Sequence, residues 1–162
     1  MDVARAVVLV TAGAVVFLAL LTGPAGPLTV PADGSFGAGL ATGNASVAGV
    51  EFPDDPTLSG GRYEAGQFVL RVGDVAVRVS DVTGRPLLVY KLDVRGLEYT
   101  RSSLTVLEPG MEGSRAISLS RATLEGSSVT RDAYPGELKL VLRGDGPDRS
   151  VATRNVTVSV QR

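Results

Sequence analysis

Along most of the chain apolar and polar residues alternate with a period of two. Phe68, Leu70 and Val72 fall on one side of such a register, with Arg71 on the other. Val75, Val77 and Val79 alternate with Arg78 and Ser80, and Leu88, Tyr90, Leu92 and Val94 with Lys91, Asp93 and Arg95. Leu104 with Val106, Ile117 with Leu119, Leu138 through Leu142, and Val156 through Val160 repeat the pattern. Successive side chains of a strand point to opposite faces, so this spacing predicts half-buried strands. Gly73-Asp74, Thr83-Gly84, Pro109-Gly110 and the tip Gly144-Asp145-Gly146-Pro147-Asp148 supply turn chemistry between them. The pattern predicts an all-β fold, an antiparallel sandwich of about seven to nine strands in which each sheet covers the other's apolar face. Only Ala116 to Leu124 offers a short helix as a competitor.

The alternation is absent at the N-terminus. Ala6 to Leu21 reads AVVLVTAGAVVFLALL, and no charge follows Arg5 until Asp33. As a helix through Thr22 the run would rise roughly 25 Å, close to a bilayer's hydrocarbon thickness. Residues 1–22 are therefore expected to be a transmembrane anchor or a signal segment, with the membrane engaged through residues 6–22. Arg5 favours an N-terminus kept inside, and Asp2 weakens that bias. Cleavage after Ala25 would place Gly23 and Ala25 at the small-residue positions of a signal peptide, flanked by Pro24 and Pro27. Residues 23–35 read as a Gly/Pro-rich neck, and residues 36–162 as the sandwich domain. Gly34 to Gly49 is dominated by small residues, with a first edge strand leading into Val50 and Phe52.

Composition narrows the chemistry. The 162 residues carry a formal net charge of −1, which gives no pull toward nucleic acid. Cysteine and histidine are absent, so disulfides, thiolate nucleophiles, imidazole bases and the commonest metal ligands are absent with them. Tryptophan is absent and aromatics are 5% of residues, few rings for a carbohydrate-stacking surface. Ser102 and Ser103 have no histidine to activate them, and the two lysines, Lys91 and Lys139, alternate as surface residues. No catalytic, cofactor-binding or metal-binding residue is expected, and the chain is not expected to be an enzyme.

Tyr134-Pro135-Gly136 introduces the Leu138–Leu142 strand, the Gly144–Asp148 tip follows, and Val151 to Val160 returns. These roughly thirty residues resemble the closing hairpin of immunoglobulin-like and fibronectin-type sandwiches. The resemblance implies that Tyr134 is a structural tyrosine corner, bonding back to nearby backbone. The buried tryptophan and the cystine pair of antibody domains are missing. Arginine-rich, lysine-poor usage on an anchored valine-rich body also resembles membrane-anchored surface proteins of halophilic archaea. Arg5-Ala6-Val7-Val8 is similar to the junction cut in archaeal prepilins, although Gly23-Pro24 would stop the helix early.

Several short motifs remain. Asn44-Ala45-Ser46 and Asn155-Val156-Thr157 are N-glycosylation sequons, with Asn44 in the more flexible-looking stretch. Arg143-Gly144-Asp145 matches an adhesion tripeptide but is also ordinary turn chemistry. Asp145 with Asp148, and Asp54 with Asp55 between two prolines, are weak candidates for a cation, against solvated turns. The expected function is a non-enzymatic structural or adhesive module at the cell envelope, outside the cytoplasm, with an envelope or membrane protein as partner. A subunit or accessory protein of an archaeal pilus- or flagellum-type filament is the alternative, and a secreted ligand-binding domain the third.

Overall fold

The computed structural model describes residues 41–60 and 66–162. The expected anchor and neck, residues 1–22 and 23–35, lie outside the described residues. Ten strands are present among them: β1 (Thr42–Glu51), β2 (Thr57–Gly60), β3 (Gln67–Arg71), β4 (Val75–Arg85), β5 (Leu87–Val94), β6 (Tyr99–Val106), β7 (Gly113–Ile117), β8 (Ala122–Glu125), β9 (Ala133–Arg143) and β10 (Arg149–Gln161). Single 3-10 turns at Arg95–Leu97 and Gly126–Ser128 are the helical elements.

The strands form two sheets. One has the order β1-β4-β7, the other β6-β5-β9-β10-β2-β3-β8. All neighbours are antiparallel except β10 and β2, which pair in parallel through Ser159 to Gln161 and Thr57 to Ser59. The shared core is apolar. Val75, Val77, Val79 and Ile117 enter it from the smaller sheet, and Leu58, Leu70, Leu88, Leu92, Leu138, Leu140 and Val158 from the larger. No polar or charged residue among those described is fully buried.

Ten strands exceed the seven to nine predicted because β2 and β8 have only four residues each and too little alternation to register. Ala116 to Leu124 holds the end of β7 and most of β8, strands of different sheets, so no helix forms there. Thr83-Gly84 is not a turn. The chain continues as β4 to Arg85 and changes sheets at the buried Pro86. Opposite Ala45, β4 carries a bulge: Ser46 pairs with Ser80 and Asn44 with Thr83, leaving two residues of β4 against one. Asp81 sits in that bulge with φ of 53°.

The faces of β5 and β4 are as the alternation predicts, but β6 is inverted. Its partners across the ladder place Tyr99, Arg101, Ser103 and Thr105 on the inner face with Val94, Leu92, Tyr90 and Leu88. Leu104 and Val106 therefore point outward, beside Val89 and Leu87, and are 52% and 39% exposed.

Candidate functional site

The hairpin tip between β9 and β10 meets the start of β1. The Asp145 amide donates to the Gly43 carbonyl at 3.0 Å. Gly144 is required there, since a Cβ would be driven into that same carbonyl oxygen. Arg143 Nε and Asp148 Oδ2 close the tip with an ion pair at 2.8 Å. Arg149 then reaches back from β10, its Nη2 donating to the Ala45 carbonyl at 3.0 Å. These contacts frame a hollow of about 350 Å³ lined by Gly43, Asn44, Asp145, Pro147, Asp148 and Arg149, among others. A second hollow of about 340 Å³, lined by Ser46, Val47, Arg149, Ser150 and Val151, adjoins it through Arg149.

The tip thus brings the overlapping Arg-Gly-Asp tripeptide and Asp145–Asp148 pair together with the sequence-distant Asn44 sequon. Gly144 and Asp145 of the Arg-Gly-Asp tripeptide stand on its rim, Asp145 exposed. Asp148 shares that rim, but its carboxylate is engaged by Arg143. Asn44 stands opposite on β1, an ordered strand position where small residues had suggested flexibility. Its Oδ1 accepts the Ala45 amide at 2.8 Å, and its own amide donates to Thr83 Oγ1 at 3.1 Å. Asn155 lies elsewhere, exposed on β10 opposite Glu137.

Asp54 and Asp55 fall in the crossover from β1 to β2. Arg154 on β10 holds it: Nη1 donates to the Pro53 carbonyl at 2.6 Å, and Nη2 pairs with Asp55 Oδ1 at 3.2 Å. Asp55 Oδ2 also accepts the Thr157 amide at 3.2 Å. The carboxylate is a fastener between strands. Among the described residues, no three acidic side chains gather as metal ligands. Lys91 and Lys139 stand directly opposite each other on the outer face, with Ser102 beside Lys91 and Asp93 Oδ2 3.9 Å from its ammonium.

Three tyrosines have altered acidity. Tyr90 is fully buried and donates its hydroxyl to the Gly73 carbonyl at 3.3 Å. Burial, reinforced by the charge of Asp74 and opposed by Arg154, pushes its pKa up to about 12. Burial likewise raises Tyr99, with Arg101 working the other way. For Tyr134 burial also works against ionisation, but it is outweighed. Hydrogen bonds from Arg131 and Thr130 bring its pKa below the ordinary phenol value. Tyr134 Oη accepts the Thr130 amide at 2.7 Å and the Arg131 amide at 2.9 Å. Turn composition upstream of β9 carries no sign of those two acceptances; only the Tyr-Pro-Gly entry to the strand hinted at them.

No protein-family model and no curated protein matches the chain. Among solved structures it is similar to a β-glucuronidase of Parabacteroides merdae, at 12% identity and a TM-score of 0.36, over 70% of this chain. The aligned part spans 14% of the glucuronidase chain. It is also similar to the N-terminal domain of PorA, at 13% identity and a TM-score of 0.32, over 72% of this chain and 98% of that one. Both are distant all-β likenesses.

Proposed function

We propose that the chain is a non-enzymatic protein-binding module of the cell envelope, anchored by residues 6–22 or exported by them, with its two-sheet body outside the cytoplasm. The observation that carries this reading is the uncharged run from Ala6 to Leu21, continued without a charge to Asp33. Its length suits a bilayer, and the neck that follows suits a spacer. Among the described residues no helix is long and apolar enough to cross a membrane, so membrane contact in this reading rests on the N-terminal run. The partner is an envelope or membrane protein, met through backbone edges and loop tips.

The body is read as an immunoglobulin-like sandwich. In support, β10-β9-β5-β6 follows the order of strands G, F, C and C′ of a variable-type sheet, and β1-β4-β7 that of A, B and E. Tyr134 stands at the entry of β9 with its hydroxyl on backbone three and four residues upstream, as a tyrosine corner does. Tyr90 is the large buried ring on β5, the strand where antibody domains bury tryptophan.

Protease added to intact cells tests the location. Digestion of the body without lysis is expected; protection until lysis overturns the reading. A second reading, a subunit or accessory protein of an archaeal pilus- or flagellum-type filament, draws on the Arg5-Ala6-Val7-Val8 junction. N-terminal sequencing separates the two: processing between Ala6 and Val7 favours the filament, an intact N-terminus the anchor.

A further inference from the structure

An edge strand offers a row of unpaired backbone groups, and folded proteins usually blunt it with bulges, brevity or charge. Four edges are present among the described residues: β1 and β7 of the smaller sheet, β6 and β8 of the larger. β1 is broken by two register shifts. β7 has five residues and carries Arg115; β8 has four and ends on Glu125. β6 differs from all three. Its eight residues pair with β5 without a register shift, and beyond Arg101 near its start the stretch Ser102 to Leu107 carries no charge.

The phase of this ladder is fixed. Leu107 donates to the Pro86 carbonyl at 2.8 Å, so the odd-numbered residues of β6 aim their backbone groups at β5. Leu104 and Val106 aim theirs away from it, along the open edge. These two residues also hold the exposed apolar side chains of the outer face. They continue a row formed by Leu87 and Val89, each 7% exposed, and the half-buried Val141. Backbone demand and apolar surface therefore coincide on one short stretch.

We propose that β6 pairs antiparallel with β6 of a second copy of this chain across a two-fold axis at Thr105, joining the two larger sheets edge to edge. In this register Leu104 of each copy lies opposite Val106 of the other, and the pair exchanges both N–H and C=O groups. Thr105 faces Thr105 as a non-hydrogen-bonded pair, with Cα atoms about 4.5 Å apart. Ser103 meets Leu107, Ser102 meets Glu108 and Arg101 meets Pro109, partners that follow the end of β6, so the strand-to-strand ladder itself is Leu104 to Val106 on each copy and no charge faces a like charge in these pairs. The occupant is a strand because the open groups are backbone, and a second copy because this register satisfies both apolar side chains with each other. The inference names a partner for the protein-binding reading above and is independent of which side of a membrane the body occupies.

The chain has no cysteine, so a single introduced thiol reports one contact. Thr105→Cys and Thr123→Cys, the latter on the β8 edge, are prepared in the full chain solubilised in detergent. Diamide takes up the two thiol hydrogens as the disulfide forms, and the distance across a non-hydrogen-bonded pair lies within disulfide range. Thr105→Cys is expected to run as a cross-linked dimer, and adding Leu104→Lys or Val106→Lys is expected to lower the dimer fraction at least tenfold. Both lysines replace exposed side chains, and far-UV circular dichroism checks that the fold is kept. Cross-linking of Thr105→Cys no greater than that of Thr123→Cys, or unaffected by both lysines, overturns the proposal. Either result leaves the protease test of location standing by itself.

Discussion

The Tyr134 hydroxyl accepts the amide proton of Thr130 across 2.7 Å, and so ties the loop before β9 to that strand's first turn of side chains. The Arg131 amide is taken up by the same oxygen. On the other side of the ring lies Gly96, where a Cβ would come within 2.8 Å of Tyr134 Cδ1. Tyr134→Phe leaves two part-buried N–H groups without an acceptor and is expected to cost about 1–3 kcal/mol in urea unfolding. Gly96→Ala displaces the same ring. The two changes are expected to be non-additive in a double-mutant cycle, because they act on one contact.

Alkaline pH should unfold the protein through Tyr90. Its pKa is raised from 10.0 to about 12, first by burial and then by Asp74. A pKa raised on folding stabilises fully below the unfolded value and is lost as pH climbs through the folded one. The urea midpoint is therefore expected to fall between about pH 10 and pH 12. Tyr99, also raised by burial, adds to this fall, whereas Tyr134, whose pKa is lowered, works in the opposite direction at alkaline pH. Tyr90→Phe should reduce the pH dependence in that window, leaving the part due to Tyr99, while losing about 0.5–1.5 kcal/mol near neutrality for the bond to Gly73.

Arg154 should matter more than its ion pair. The Arg154 and Asp55 side chains are 41% and 43% exposed, so the charge contact alone contributes about 0–1 kcal/mol. The guanidinium also serves the Pro53 carbonyl, and Arg149 does the same for Ala45 further along the strand. Arg154→Ala is expected to cost about 1–3 kcal/mol, more than Asp55→Asn, because a carbonyl in the crossover loses its donor. Thermal unfolding of the two variants side by side gives the order.

Tyr99 presents the reverse case. Its hydroxyl is buried and, among the described residues, no group meets it in hydrogen-bond geometry, although Arg101 lies near enough to influence its acidity. Removing an unsatisfied buried group relieves a desolvation cost. Tyr99→Phe should leave stability unchanged or raise it by about 1 kcal/mol, whereas a loss would show that the hydroxyl has a partner in solution.

The strands with strong alternation were legible in the sequence. Val75 to Val79 and Leu88 to Val94 carry their burial in their period, because one face is packed and the other wet. β6 was legible as a strand but not in its orientation. Leu104 and Val106 have the same period as core residues, and only the pairing of Leu88 with Thr105 shows which way they point. β2 was hidden because Thr57–Gly60 buries a single large side chain, Leu58, and owes its place to neighbours on both sides. The meeting of Asn44 with Asp145 and Asp148 around one hollow was not legible at all. About a hundred residues separate them, and their approach depends on Gly144 admitting the Gly43 carbonyl, which no local pattern encodes.

The parallel pairing of β2 with β10 bears on how the body withstands being pulled. β2 is the second of the described strands and β10 the last, and they run alongside each other in the same direction. Once β1 is drawn off, tension between the two ends slides these strands lengthwise, loading the three pairs from Thr57–Ser159 to Ser59–Gln161 together instead of one after another. A short parallel ladder in that position is a shear clasp, whose pairs share a lengthwise load that an antiparallel hairpin pulled from its open end would meet one pair at a time.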